Sequence, residues 1–169
     1  RGVALDYLMV HYCIERFLYR LSISSYADRF ILKGGLLLYA ILHHEARATR
    51  DVDFLAHRID NSMEGVQEAI QRICDIPMDD GIFYDTDSLE VERISEDADY
   101  QGVRIKLFAY LDRSRVRMQL DIGFGDVMAP GPLMRAYPSL LDMESPQLLS
   151  YPSESVIAEK FEAMLSLAD

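Results

Sequence analysis

This sequence has few cysteines and no long apolar segment. Both observations narrow the class of protein to which it can belong. Cys13 and Cys74 are the two cysteines among 169 residues. Each lies in a helix-like segment, so buried free thiols are expected rather than a disulfide. The longest apolar run, residues 36–42, is far too short to span a bilayer. Since no secretory signal is visible either, the sequence predicts a cytoplasmic protein with no membrane partner.

Basic residues are also scarce. The chain has 17 Lys and Arg against 28 Asp and Glu, a formal net charge of −11. This balance argues against binding nucleic acid through a generally basic surface. The acidity is uneven, however: residues 58–100 hold thirteen acids and three bases, while residues 101–135 hold three acids and six bases. An RNA or nucleotide partner is therefore permitted.

Two common phosphate-binding motifs are missing. In a Walker loop the lysine follows the glycines and precedes Ser or Thr, whereas Lys33 comes before Gly34 and Gly35. A dinucleotide fingerprint needs a third glycine, and none follows at the required spacing. A P-loop enzyme and a Rossmann dehydrogenase are both poor interpretations of this glycine pair.

The most informative feature present is Asp51-x-Asp53, a short way after the glycine pair. Residues 30–32 are strand-like, residues 36–42 are helix-forming, and residues 52–55 form a second strand-like segment. Acids two residues apart on a strand point to the same face. Glycines let backbone N–H groups approach phosphate closely, and the following helix adds its positive end. This order predicts a nucleotide site in which the acids hold Mg²⁺.

Asp121 is the candidate third acid. Residues 103–110 and 116–122 alternate between apolar and polar positions, which predicts a hairpin whose returning strand ends in this acid. A third carboxylate there would complete a metal site and could accept the proton of an incoming hydroxyl. The alternative is an acid that caps a turn or pairs with Arg117. Local sequence does not separate the two.

The remaining segments complete the expected organisation. Helices are predicted over residues 7–21, from an N-cap at residues 60–62 to about Cys74, and after Pro152; residues 89–94 are strand-like. The rival acid pair Asp85 and Asp87 is interpreted as a solvated loop. His43, His44 and His57 lack metal-ligand spacing, and His11 is interpreted as a packed helix residue.

Several ordered blocks of this sequence resemble the AbiEii/AbiGii family, nucleotidyltransferase-like toxins of abortive-infection and toxin–antitoxin systems. The blocks cover nearly the whole chain: residues 15–21, 30–35, 49–53, 100–104, 120–126 and 154–163. The resemblance implies an α+β fold, a nucleotidyltransferase-like mixed sheet flanked by helices. It divides the chain into a core with an N-terminal helix, residues 1–132, and the start of a C-terminal helical part, residues 133–169.

The resemblance also implies an activity: transfer of a nucleoside monophosphate from an NTP, with pyrophosphate released. Two Mg²⁺ ions are expected on Asp51, Asp53 and Asp121. Relatives have been linked to nucleotide addition at tRNA 3′ ends, and a cognate antitoxin is expected to be encoded nearby. The residues expected to contact the nucleotide are Lys33, Gly34, Gly35, Thr49 and Arg50, and Lys160 occupies the lysine motif of the family. Local sequence alone favours an ordinary surface lysine at Lys160, and it leaves Arg50 as either a phosphate contact or a brace outside the site.

Two departures from the family leave the activity of this chain open. The gap between Gly35 and Asp51 is longer than the general nucleotidyltransferase pattern. The family also continues beyond the last helix, and the chain begins at Arg1 rather than Met, so a fragment of a longer protein is expected. The alternatives are a non-catalytic nucleotide- or protein-binding module on the same fold, and a kinase-like phosphotransferase, since phosphoryl transfer uses similar metal geometry.

Overall fold

The computed structural model describes residues 5–42, 49–97, 100–125 and 130–156. Within these ranges the helices are α1 Leu5–Ile23, α2 Gly34–Leu42 and α3 Met63–Cys74. The strands are β1 Phe30–Lys33, β2 Asp51–Ala56, β3 Ile82–Asp97, β4 Tyr100–Leu111, β5 Ser114–Phe124, β6 Leu133–Ala136 and β7 Gln147–Ser150. A helical turn begins at Ser153. The expectations for Lys160 fall outside the described residues.

The described strands form one mixed sheet in the order β3-β4-β5-β2-β1-β7-β6. Strand β2 pairs in parallel with β5, and β1 with β7. The other neighbours are antiparallel. This mixed sheet with helices packed on it confirms the predicted fold class. The parallel pair β2 and β5 matters most for function, because it joins the two acid-bearing segments.

Helix α1 supplies much of the core, as its apolar spacing predicted. Phe17, Leu18 and Leu21 have no exposed surface, and burial of each such side chain contributes roughly 1.5–3 kcal/mol to folding. The helix packs against β5, β7 and α3. Cys13 and Cys74 are buried free thiols, as expected. No helix in the described part of the chain is long and apolar enough to cross a membrane.

Helix α3 begins where its capping residues predicted. The hydroxyl of Ser62 accepts a hydrogen bond from the Gly65 backbone N–H at 3.0 Å, satisfying one of the free donors of the first turn. Asp60 holds the cap, since its carboxylate accepts from the Ser62 N–H and hydroxyl. The helix ends at Cys74. It buries Val66 and Ile70 against the sheet.

The β4–β5 hairpin confirms the predicted alternation. Val103, Ile105 and Leu107 on β4 are at most 1% exposed, while the residues between them are more exposed. The pairing of β4 with β5 begins at the turn, where Leu111 lies opposite Ser114. Asp112 there adopts a φ of 51°, a left-handed conformation that Asp tolerates better than most residues.

Two parts of the sequence prediction need correction or extension. The pair Asp85 and Asp87 lies within strand β3 rather than in a loop, next to a register shift between Asp85 and Glu90. Strands β6 and β7 were not predicted, and β7 extends the sheet beside β1. Each of these two strands has four residues, too few for a clear alternating pattern. Residues 133–150 thus add to the sheet, and the boundary at residue 132 stays a prediction.

Candidate active site

Strand β2 presents its two acids on one face. Asp51 is exposed and Asp53 half-buried, whereas Val52 and Phe54 between and after them are at most 1% exposed. This is the two-residue period of a strand with one face in the core. The acids therefore stand on the more open face of the sheet, as the Asp-x-Asp spacing predicted.

The parallel pairing of β2 with β5 brings the third acid alongside. Asp53 lies opposite Asp121, and Asp51 lies opposite Gln119. Neighbouring strands are about 4.8 Å apart, and paired residues share a face. The pairing thus puts Asp121, which is distant along the chain, on the same face of the sheet as Asp51 and Asp53.

The glycine pair makes room for this arrangement. Gly34 has a φ of +67°, and a Cβ at this position would lie 2.1 Å from Oδ2 of Asp53. A Cβ at Gly35 would lie 3.0 Å from Cγ2 of Thr49. The backbone turn at the start of α2 therefore packs directly on the residues that carry and precede the acids. The predicted role of both glycines in binding phosphate is additional to this steric role.

Lys33 lies on the other side of Asp53. It is opposite Asp53 in the antiparallel β1–β2 pair, so the two side chains share a face. Its Nζ lies 5.7 Å from the centre of the Tyr151 ring and 4.0 Å from the Cβ position of Gly123 on β5. A cation is thus placed beside the acids, where phosphate binding would need one.

Arg104 is the site residue that the sequence analysis missed. Its Nε donates to Oδ1 of Asp121 and its Nη2 to Oδ2, both at 2.7 Å. The hydrogen bond with Asp121 raises the pKa of Arg104 above its ordinary value, and the charge of Asp51 adds to this effect. The expected alternative partner, Arg117, lies opposite Phe108 and pairs with Glu90 instead. The pattern could have identified Arg104, because a turn at Leu111–Ser114 sets the hairpin register.

Thr49 and Arg50 are held by helix α1. The Nε2 of His11 donates to the Thr49 carbonyl at 2.9 Å, and Arg50 forms an ion pair with Asp6. His11 is 2% exposed and burial lowers its pKa below the ordinary value. The expectation that His11 is packed is confirmed, and it also fixes the segment that leads into Asp51. In this structure Arg50 braces that segment from α1, while its predicted nucleotide contact stays a prediction.

The fit of the acids to Mg²⁺ is chemically good and geometrically incomplete. All three candidates offer carboxylate oxygens, the ligands that this cation prefers. Yet within the four described ranges no three His, Cys, Asp or Glu side chains are grouped as a metal site requires. Both oxygens of Asp121 are bound by Arg104. Asp121 therefore has the right position along the sheet, but its carboxylate is committed to a cation from the protein.

A family model decides the relationship of the chain. It describes the nucleotidyl transferase AbiEii toxin of type IV toxin–antitoxin systems and matches residues 16–169. The chain belongs to the AbiEii family. This confirms the resemblance drawn from the sequence blocks. A search of curated proteins gave no match.

Two solved structures from Helicobacter pylori share the fold of this AbiEii chain. One is provisionally assigned as a nucleotidyltransferase, with a TM-score of 0.57, 14% sequence identity and 94% of the present chain covered. The other is JHP933, with a TM-score of 0.54, 14% identity and the same coverage. The chain spans 59% and 57% of the lengths of these two proteins. At this identity the likeness shows the fold alone.

Proposed function

We propose that this AbiEii protein is a toxin that transfers a nucleoside monophosphate from an NTP to a hydroxyl acceptor. The observation that carries the proposal is the pairing of Asp53 with Asp121 on the same face as Asp51. Family membership supports it, since the family is named for nucleotidyl transfer and for its toxin role. A new bond forms between the acceptor oxygen and the α-phosphorus, and pyrophosphate leaves with the electrons of the broken P–O bond.

Asp51, Asp53 and Asp121 would hold Mg²⁺. When bound there, the cation would lower the charge of the triphosphate and favour departure of pyrophosphate. The carboxylates themselves orient the reacting groups from a rigid sheet. Asp121 is the candidate acceptor for the proton of the incoming hydroxyl. Its position between Asp53 and Arg104 would let the neighbouring guanidinium balance its charge before nucleotide binds.

The glycine turn and the nearby cations would bind the triphosphate. Backbone N–H groups at Gly34 and Gly35 open helix α2, whose positive end favours an anion. Lys33 lies beside the acids and would offset negative charge as pyrophosphate forms. Thr49 packs against Gly35 and would line the same turn. Lys160, from the lysine motif of the family, is proposed to act on the triphosphate, and Arg50 to contact the nucleotide once released from Asp6.

The acceptor we propose is RNA, with a tRNA 3′ end as the first candidate. This choice follows the resemblance to the family. A cognate antitoxin is the proposed protein partner, in keeping with the toxin–antitoxin description of the family.

Labelled NTPs test the reaction, using the full-length protein with a tRNA pool and each NTP in turn. Label at the α-phosphate entering RNA supports nucleotidyl transfer. Label at the γ-phosphate entering a protein would instead show phosphotransfer, and no transfer of either label would favour a binding module. Asp51→Asn should lower transfer by at least about 1,000-fold, roughly 4 kcal/mol of transition-state stabilisation. Its melting temperature should hardly change, because Asp51 is exposed.

Asp87→Asn is the matched control for this experiment. Asp87 belongs to the rival Asp-x-Asp pair and is exposed on β3, away from the glycine turn. Its substitution removes the same charge and should leave transfer unchanged. Equal activity of Asp51→Asn and Asp87→Asn would reject the assignment of the site.

A further inference from the structure

The ion pair between Arg104 and Asp121 occupies the third acid of the proposed site. The guanidinium uses two donors on two oxygens, both at 2.7 Å. The side-chain amide of Gln119 also donates to Oδ2, at 3.4 Å. Paired, bidentate contacts of this kind are the strongest that a carboxylate makes with a side chain. A metal cation that uses Asp121 as a ligand must therefore displace these donors or share the carboxylate with them.

The surroundings of Arg104 make this pair a built feature of the sheet. Arg104 lies opposite Asp121 on one side and opposite Glu92 on the other. Glu92 is bound by Lys106 at 2.6 Å, which leaves Asp121 as the carboxylate that both donors of Arg104 reach. The side chain of Arg104 is 31% exposed and that of Asp121 is 11% exposed. The carboxylate is thus largely covered, while the guanidinium is open to a ligand from solvent.

A guanidinium binds phosphate with the same two-donor geometry that it uses on a carboxylate. A triphosphate arriving at the glycine turn therefore offers Arg104 an alternative partner. A divalent cation arriving alone meets a positive charge beside Asp121, and like charges repel. A triphosphate that takes Arg104 therefore strengthens binding of the divalent cation at Asp121. By linkage, the cation strengthens binding of the triphosphate by the same factor.

We propose that Arg104 is a positioning residue that competes with divalent cation for Asp121 and releases it when a triphosphate takes the guanidinium. This inference rests on the proposed function. It accounts for a third acid that lies on the same face as the other two while both of its oxygens are bound by Arg104. In the absence of ligand, Arg104 also neutralises Asp121, which lies opposite Asp53 on the neighbouring strand.

Mn²⁺ binding to the full-length protein without nucleotide tests this competition. The free Mn²⁺ signal in electron paramagnetic resonance gives the affinity directly, without any measurement of activity. Arg104→Gln should bind Mn²⁺ about tenfold more tightly than the unchanged protein, because removing a charge-assisted pair frees the carboxylate. Arg104→Lys keeps the charge but not the two-donor fork, so its affinity should lie between the two. Binding of inorganic triphosphate should weaken about tenfold in Arg104→Gln.

Arg117→Gln is the matched control for charge. Arg117 is an arginine on β5, at an alternate position of the strand that carries Asp121, and is paired with Glu90. Its substitution changes the net charge equally and should leave Mn²⁺ affinity unchanged. If Arg104→Gln and Arg117→Gln tighten Mn²⁺ binding equally, the effect is general electrostatics and the competition is rejected. Unchanged or weaker Mn²⁺ binding in Arg104→Gln also rejects it.

Asp53→Asn separates this inference from the function on which it rests. Loss of Mn²⁺ binding in Asp53→Asn, together with no effect of Arg104→Gln, would overturn the competition and leave the metal site intact. Mn²⁺ binding that is indifferent to Asp53→Asn would place the cation elsewhere, and both proposals would fail. Loss in Asp53→Asn with tighter binding in Arg104→Gln supports both. Circular dichroism of each variant confirms that the sheet is formed.

Discussion

Two clusters of charged residues in this protein differ in what surrounds them. The first, here called the α1 cluster, consists of Glu15, Arg16, Arg20 and Asp80. Each of these residues is at most 7% exposed. The second, the site row, runs across the sheet through Lys33, Asp53, Asp121 and Arg104. Charges are abundant in both clusters, so charge alone does not identify a functional site.

The α1 cluster satisfies its charges with the protein itself. Glu15 accepts hydrogen bonds from the Ser139 hydroxyl at 2.9 Å and from the Leu140 N–H at 2.7 Å. Arg20 gives two hydrogen bonds to Asp80, and its guanidinium lies 4.9 Å from the centre of the Tyr84 ring. Such charges tie α1 to the loops that pack on it. They could not bind a ligand without breaking the fold, because a buried charge needs its partners.

The site row is arranged for exchange instead. Its acids share a face with two cations, and the Arg104 side chain is 31% exposed. The guanidinium can therefore reach a ligand from solvent while it holds the largely covered carboxylate of Asp121. The comparison predicts that substitutions in the α1 cluster lower stability, whereas substitutions in the site row lower activity or change ligand affinity.

The largest effect should come from Asp80→Asn. Removing one member of a buried ion pair leaves Arg20 uncompensated, which typically costs about 3–5 kcal/mol. For a domain of this size the melting temperature should fall by roughly 10 °C. Thermal unfolding followed by circular dichroism measures this, with Asp87→Asn as the exposed acid for comparison. A melting temperature equal to that of Asp87→Asn would show that burial does not distinguish the two clusters.

Two glycines with similar backbone conformations, far apart in the sequence, provide a second and sharper test. Gly34 and Gly81 have nearly equal φ values of +67° and +73°, so alanine pays a similar backbone cost at each, about 1–2 kcal/mol. Only at position 34 does the added Cβ meet a site acid, at 2.1 Å from Asp53 Oδ2; at position 81 the nearest atom is 3.7 Å away. Gly34→Ala should therefore lower transfer about 100-fold, since small displacements of reacting groups cost this much. Gly81→Ala should keep its activity.

The comparison of these two variants isolates the contact with Asp53. Activity is measured by α-labelled NTP transfer at a temperature where both variants are folded. Equal loss of activity in the two would show that the backbone strain, rather than the displaced acid, is responsible.

Local sequence determined much of the fold. The Ser62 cap is a contact between residues close in sequence, and the apolar spacing of α1 and the alternation of β4 and β5 follow from the local periods of a helix and a strand. The glycine turn and the acids of β2 were predicted for the same reason. The partner of Asp121 was also within reach, because the turn at Leu111–Ser114 fixes which residue faces it.

Long-range pairing is what local sequence could not predict. Nothing near Asp53 in the chain indicates that β5 will lie parallel to β2, and this pairing is what assembles the acids. Two further contacts are equally distant along the chain: Arg20 binds Asp80, and Arg16, which also pairs with the adjacent Glu15, donates to the Glu144 carbonyl. The local pattern offered all three acids as candidates, and the family resemblance favoured the metal-site role of Asp121 over the alternative of a turn cap. It did not supply Arg104, whose role depends on one contact.

The smallest expected effect concerns His11, which shares one property with each of the two clusters. It is buried like the α1 cluster, yet it holds the Thr49 carbonyl that leads into Asp51. Burial lowers its pKa below the ordinary value of 6.5, so below pH 6.5 the unfolded chain binds a proton that the folded protein does not. Stability must then fall as the pH falls from 6.5 toward the folded pKa, with a slope below about 1.4 kcal/mol per pH unit.

His11→Gln tests this, because its amide can still donate to Thr49 but does not titrate. Urea unfolding between about pH 5 and pH 8 gives the free energy of unfolding of both proteins. Carboxylates contribute equally to the two curves, so the difference between them reports His11 alone. The unchanged protein should lose stability relative to His11→Gln as the pH falls. Parallel curves would mean that His11 titrates as it does in water, and that its hydrogen bond to Thr49 does not depend on a neutral ring.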